Sequence, residues 1–210
     1  MGKKYVKVRR VLFQHLYGAW QLKGRPEAVI PKSMNISLST IAWPTETLWR
    51  EANASLSQSV SHHRHRLSEA LRLASSLRGH LMSIFPIMDS LCQLTCPDCK
   101  DICCQHAWVW ADFKDLLFLH LAAIPVPDRQ LVGRRGDHCR YASPQGCRLE
   151  RLQRPFVCTW YICPAQTRTL SKQPAEKERL TTVLKQIKDD RQLLEGRFIQ
   201  AIFMTGAHGS

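Results

Sequence analysis

Cysteine is the residue in this chain whose type and spacing most plainly carry chemistry. Nine are present, and four fall inside the nine-residue run CPDCKDICC, at Cys96, Cys99, Cys103 and Cys104. A second group is spread over Cys139, Cys147, Cys158 and Cys163, and Cys92 stands four residues before the first group. Thiols grouped in this way can form a disulfide knot, supply a reactive thiolate or ligate a metal. The odd total rules out complete pairing within the chain, and 210 residues can bury a core without cross-links. A disulfide scaffold is therefore disfavoured. In a reducing compartment clustered cysteines are more often metal ligands or redox groups than bridges.

A metal holds its sulfur ligands within one small sphere, with Zn–S near 2.3 Å, so ligand sulfurs lie about 4 Å apart. Short spacing supplies this locally. Pro97 suits the first turn of a helix, which predicts Cys96 at a helix mouth, Cys99 early in the helix and Cys103 one turn on, three thiols on one side. Free amides at such a helix start would favour the thiolates of Cys96 and Cys99. Cys104 is turned by about a hundred degrees from Cys103 in a continuing helix and needs a second site or a backbone break. The second group has seven, ten and four residues between its members, gaps that suit loops, with SPQG as turn chemistry and Pro155 and Pro164 limiting helix. Cys92, on the tail of an apolar helix, reads as a buried structural thiol. His106 and His138 lie beside the two groups and read as outer donors or surface residues rather than ligands. His62, His63 and His65 sit among arginines that repel a cation, and read as a solvated helix start.

The run CPDCKDICC, followed by CRYASPQGCRLERLQRPFVC, resembles the CxxCxxCC family, a zinc- or iron-chelating domain typified by the bacterial YkgJ proteins. That family carries four cysteines, then a second group whose hallmark is a cysteine, a short segment, Arg-Pro, two residues and another cysteine. Arg154, Pro155 and Cys158 match the hallmark; Cys96, Cys99, Cys103 and Cys104 match the first group; Cys139 and Cys147 fall where its intermediate cysteines are expected. This chain has KDI before the Cys103–Cys104 pair where two residues are usual, one extra residue before Arg154, and Thr159 where arginine commonly follows. The thiol inventory is intact. The resemblance covers roughly residues 92–165 and implies metal chelation through eight thiolates, as zinc or as an iron–sulfur cluster, with no agreed reaction.

The elements that must position these thiols read as helices. Thr45 followed by Glu46 and Glu51 predicts one helix start. Leu67, Ala70, Leu71, Ala74, Leu77, Leu81, Ile84, Phe85 and Met88 recur at spacings of three and four, an amphipathic helix that Pro86 and then Pro97 should kink or end. Its partner is the stripe Leu180, Val183, Leu184, Ile187, Leu194, Phe198 and Ile202. ADFKDLLFLHLA reads as a further helix, and VCTWYI is the one short β-like run. The expected fold is mainly α, with helices flanking a cysteine-rich, loop-built metal-binding core and little β. Its expected parts are a basic N-terminal extension over 1–40, a helical segment over 41–91, a metal-binding module over 92–165 and a C-terminal helix within 166–210.

The formal charge is +13. Two four-thiolate zinc sites would lower it to about +9, still basic. Residues 1–40 hold eight Lys or Arg against Glu27, with aromatics between, so an anionic partner such as nucleic acid is one possible use. No apolar run reaches bilayer-spanning length, and no signal-peptide pattern opens the chain, so it is expected in the cytoplasm. Two alternatives to metal chelation stand: an iron–sulfur redox enzyme or electron carrier, and a nucleic-acid binder using the basic surface. A thioredoxin-like use of Cys96 and Cys99 needs a βαβ setting that the helical surroundings lack. Arg134, Arg135, Arg140, Arg148, Arg151 and Arg154 read most simply as balancing the field of the thiolates.

Overall fold

A computed structural model describes residues 41–97, 99, 109–143 and 146–203. The basic segment 1–40, Cys103, Cys104 and His106 lie outside the described residues. Six helices account for most of the remainder, and the one sheet among the described residues has two strands. The fold is mainly α.

Helix α1, Glu46–His62, begins where Thr45 caps it: the Thr45 hydroxyl oxygen accepts the Leu48 N–H at 3.3 Å. Trp49, Leu56 and Val60 form its buried face. The His62–Arg66 segment, exposed except for half-buried His63, is a link rather than a helix start: α1 ends at His62 and a 3-10 turn, Arg64–Arg66, leads into the next helix.

Helix α2, Ser68–Thr95, has 28 residues and is about 42 Å long at 1.5 Å per residue. Most of its predicted apolar stripe is buried, with Leu71 and Phe85 half-buried against the core, and the stripe extends to Leu91. The helix runs through Pro86 and stops before Pro97, which has no N–H for the Gln93 carbonyl. Helix α6, Pro174–Phe203, buries Leu180, Ile187, Leu194, Phe198 and Ile202 of the second stripe, and α2 and α6 pack together. Three polar pairs along their length set the direction. Glu69 meets Arg197 at 3.0 Å, His80 Nδ1 lies 3.0 Å from Asp190, and Arg179 donates to the Ser83 carbonyl at 3.1 Å. Residue numbers rise on one helix as they fall on the other, so the pair is antiparallel.

Helix α3, Phe113–Leu121, is closed at its start by a capping box. The Asp112 carboxylate accepts the Asp115 N–H and the Asp115 carboxylate accepts the Asp112 N–H, each at 2.9 Å. Both acids also meet Arg191 of α6: Nη1 donates to Asp115 at 2.5 Å and Nη2 to Asp112 at 3.0 Å. Arg191 and Asp115 are each 6% exposed. The Asp115 oxygen that meets Arg191 also accepts the Phe156 N–H at 2.9 Å, and the guanidinium lies 4.9 Å from the centre of the Phe156 ring. One buried arginine therefore joins α3, α6 and the loop that leads to Cys158.

A second knot is Gln130, 1% exposed. Its amide nitrogen donates to the Ala42 carbonyl at 2.8 Å and the Ala111 carbonyl at 3.0 Å, and its oxygen accepts the N–H groups of Ala111 at 2.8 Å and Leu131 at 3.0 Å. All four capacities of the amide are used. Trp49 adds a third tie, donating its indole N–H to the Pro127 carbonyl at 2.8 Å.

Ala142–Ser143 (β1) and Gly146–Cys147 (β2) pair antiparallel, Ala142 opposite Cys147 and Ser143 opposite Gly146. A 3-10 turn Arg151–Gln153, helix α4 Val157–Trp160 and helix α5 Pro164–Leu170 follow. The expected strand VCTWYI is thus helical over its first four residues. Asp115 supplies the reason: it accepts the N–H of Phe156, the N-cap residue of α4, and satisfies there an amide a helix start leaves open. The described residues from Ile41 onward belong to one compact unit.

Replacing Arg191 by Met leaves Asp115 buried without its counter-charge, and the expected loss is about 3–5 kcal/mol in urea unfolding. A loss of under about 1 kcal/mol, the size of an exposed ion pair, would refute the central role given to this arginine. Burial and the neighbouring Asp112 push the Asp115 carboxyl up to about 6, against the pull of Arg191. Between about pH 4 and pH 6 the folded chain then keeps a proton that the unfolded chain has lost, so this group makes folding less favourable as pH rises through that window. The stability difference between wild type and Asp115→Asn should therefore fall from pH 4 to pH 6. A flat difference would contradict the raised value.

Candidate functional site

The second cysteine group is assembled by a hairpin and a helix that meet it from different directions. After Cys139 the chain reverses, with the Ala142 N–H donating to the Cys139 carbonyl at 3.1 Å, and the β1–β2 pairing returns it to Cys147. The Arg148 N–H closes the ladder on the Tyr141 carbonyl at 2.8 Å. Gly146 has φ +110°, a backbone region that a residue with a side chain enters only with strain. The Tyr141 hydroxyl anchors the first arm by donating to Asp128 at 2.5 Å and accepting the Arg129 N–H at 3.1 Å. Burial and that bond to Asp128 push the Tyr141 hydroxyl up to about 12.

Cys158 reaches the same neighbourhood from α4. Its N–H donates to the Pro155 carbonyl at 2.9 Å, and Arg154 donates to the Leu149 carbonyl at 3.0 Å, so the Arg-Pro pair shapes the turn that presents the thiol. Burial pushes the Cys158 thiol far above the usual thiol range, and the charges of Cys139 and Cys147 push it further, with Arg154 opposing. Cys139 is also raised, by burial first; Cys147 adds to this, and backbone N–H groups and Arg148 oppose it. Three of the predicted ligands, distant in sequence, are thus near enough to feel one another's charge. As bare thiols Cys139 and Cys158 keep their protons at neutral pH.

Cys163 is held in a different way. It caps α5, its sulfur accepting the Gln166 N–H at 3.4 Å while the Gln166 side-chain oxygen accepts the Cys163 N–H at 3.3 Å. The same Gln166 side chain donates to the sulfur of Cys92 at 3.5 Å. Cys92 is half-buried rather than buried, and its sulfur also receives an N–H from Arg151 at 3.7 Å. Arg151 is fixed by Asp89, which accepts two of its N–H groups. Gln166 was detectable in sequence, since CPAQ has the spacing of a capping box with cysteine in place of serine. Arg151 is among the arginines the sequence offers as balancing the thiolates, but nothing in the sequence pairs it with Asp89 and Cys92, or Asp115 with Arg191.

The first group departs from expectation. Cys96 does not open a helix: it is the C-cap of α2, its N–H donating to the Cys92 carbonyl at 2.9 Å, and the Cys99 N–H closes a turn on the Cys96 carbonyl at 3.1 Å. The apolar stripe continues through Ile87, Met88 and Leu91 and carries α2 up to the cysteines, so carbonyls rather than free amides face this end. Among the described residues, the open amides of the helix nearest these thiols lie at its other end. Cys96 is exposed, Cys99 half-buried and His138 exposed.

Cys92, Cys139, Cys147, Cys158 and Cys163 carry free thiols. Among the described residues no three Cys, His, Asp or Glu side chains stand close enough to hold one metal ion. A cavity beside the Arg154–Phe156 turn, lined by Trp49, Phe118, Pro155 and Arg191 among others, measures ≈ 20 Å³, room for about one water molecule. Among the described residues no helix is long and apolar enough to cross a membrane.

Four of the arginines near the thiols are engaged within the fold. Arg140 donates to the Gln130 carbonyl at 3.0 Å, Arg148 to the Arg140 carbonyl, Arg151 to Asp89 and Arg154 to the Leu149 carbonyl. Arg148 and Arg154 also oppose the raised pKa values of Cys139 and Cys158, which agrees with a field-balancing role.

No protein-family model, curated protein or solved structure matches the chain. The resemblance to the CxxCxxCC family therefore rests on the cysteine and Arg-Pro spacing.

Proposed function

We propose that this chain is a metal-binding protein that holds zinc or an iron–sulfur cluster through the thiolates of Cys96, Cys99, Cys103, Cys104, Cys139, Cys147, Cys158 and Cys163. The observation that carries the reading is that a hairpin and a helix start, each tied to the core, bring Cys139, Cys147 and Cys158 near enough to feel one another's charge. Such a donor set fits a soft cation: all sulfur, unbridged at Cys139, Cys147, Cys158 and Cys163, and costly to ionise at Cys158 until a positive charge arrives. Within the segment, Asp115 and Arg191 hold the Cys158 turn, Tyr141 holds the hairpin, and Arg148 and Arg154 offset part of the negative charge that bound thiolates would bring. Zinc in such a site is a redox-silent cross-link, whereas an iron–sulfur cluster carries an electron. A cytoplasmic setting belongs to the same reading, because free thiols persist where the medium is reducing.

Ligation must drive protons off Cys139 and Cys158, so metal affinity should rise with pH. Metal and acid-labile sulfide analysis, with a visible spectrum, on untagged protein purified without oxygen tests the reading directly. Iron with matching sulfide or stoichiometric zinc is expected, and protein that is soluble, folded and empty even after reconstitution with either would overturn it. The double substitution Cys96→Ser, Cys99→Ser should release metal while the α2–α6 pair keeps its helical circular dichroism. Full metal content in that variant would remove those two residues from the ligand set.

A further inference from the structure

The surroundings of Cys92 are those of a ligand rather than of a packing residue. A thiol retained for packing is wrapped in apolar side chains. Cys92 is half-buried and its sulfur receives two N–H groups from two separate elements, the amide of Gln166 at 3.5 Å and the guanidinium of Arg151 at 3.7 Å. N–H donors directed at sulfur are the outer hydrogen bonds by which proteins orient and tune thiolate ligands. Gln166 is 6% exposed and Arg151 is braced by Asp89, so both donors are held in place.

Gln166 also binds Cys163, through its own N–H at 3.4 Å to the sulfur and its side-chain oxygen at 3.3 Å to the Cys163 N–H. One buried residue therefore spans two thiols from elements far apart in sequence, 74 residues separating Gln166 from Cys92. We infer that Cys92 and Cys163 form a dithiol that takes a thiophilic divalent cation, with Gln166 and Arg151 as its outer donors. The inference rests on the reading of this chain as a thiolate metal protein and adds Cys92 to its ligands. On binding, each thiol passes its proton to solvent, and two thiolates neutralise the divalent charge; Arg151 is already offset by Asp89. Cys96, one helical turn beyond Cys92, lies on the same side of α2.

The test uses the wild-type full chain, reduced and stripped with a chelator, then titrated with zinc. At each step N-ethylmaleimide labels accessible thiols, and peptide mass mapping reads the labelling rate at every cysteine. Cys92 and Cys163 should become protected over the same zinc increment, by about tenfold or more, because a metal-bound thiolate is withheld from the reagent. Loss of Cys163 labelling while Cys92 reacts as fast as in chelator would overturn the inference and leave the metal reading standing. Slow labelling of Cys92 that zinc does not change would do the same, identifying a packing thiol. Zinc that protects no cysteine would overturn the dithiol inference and the zinc form of the metal reading, leaving the iron–sulfur form to the sulfide analysis above. Cys92→Ser, which preserves the volume of the site, should move Cys163 protection to higher zinc; an unchanged titration of Cys163 would also count against the dithiol.

Discussion

The arrangement depends on a charge buried between two others. Arg191 of α6 lies inside the protein with Asp115 and Asp112, both from the start of α3, as its partners, and so fixes one helix against the other. Burying an arginine is costly unless its hydrogen bonds are met, and the fork of the guanidinium demands a specific placement of both carboxylates. Partial burial works against ionisation of Asp112, yet Arg191, Lys114 and its bonds with Asp115 carry it below the ordinary carboxylate range. Asp115 moves the other way. Both acids are ionised against Arg191 at neutral pH, with Asp115 the first to take up a proton as pH falls, while the Phe156 N–H fixes the loop to the same point.

This junction explains how a mainly helical protein can hold cysteines in irregular loops. Loops place side chains well only when their backbone groups are tied to something rigid. Here the Cys158 turn is tied to Asp115, the Cys139 hairpin to Asp128 and Arg129 through Tyr141, and the Cys163 cap to Gln166. Gln130 closes the backbone just ahead of Cys139 by joining Ala42, Ala111 and Leu131. Thiols distant in sequence are thereby brought into two neighbourhoods, one around Cys139, Cys147 and Cys158 and the other around Cys92 and Cys163.

The helices were legible because their signals are local and repeated. Thr45 announces a helix start, and the stripes from Leu67 to Met88 and from Leu180 to Ile202 have the period of a helix face. The direction of the first cysteine cluster was not legible. Pro97 is compatible with the start of a helix and with the position just after an end, and only the length of α2, set by burial of Leu91 against the rest of the core, selects the second. The β-like composition of VCTWYI lost to local helical bonds back to Pro155 and Phe156, at a turn that Asp115, 41 residues before Phe156, holds by accepting the Phe156 N–H.

The sequence by itself determined the thiol inventory, the basic balance and the pair of amphipathic helices, since each is a property of residue type and near-neighbour spacing. Tertiary structure decided which thiols meet. Cys163 belongs by spacing to the group of Cys139, Cys147 and Cys158, but its hydrogen bonds run to Gln166, and through Gln166 to Cys92 on another helix. The physical reason is that sulfur contacts are made across the junction between α2 and α5, whose packing depends on the whole core. Spacing counts residues along the chain, and a junction between elements is not written along it.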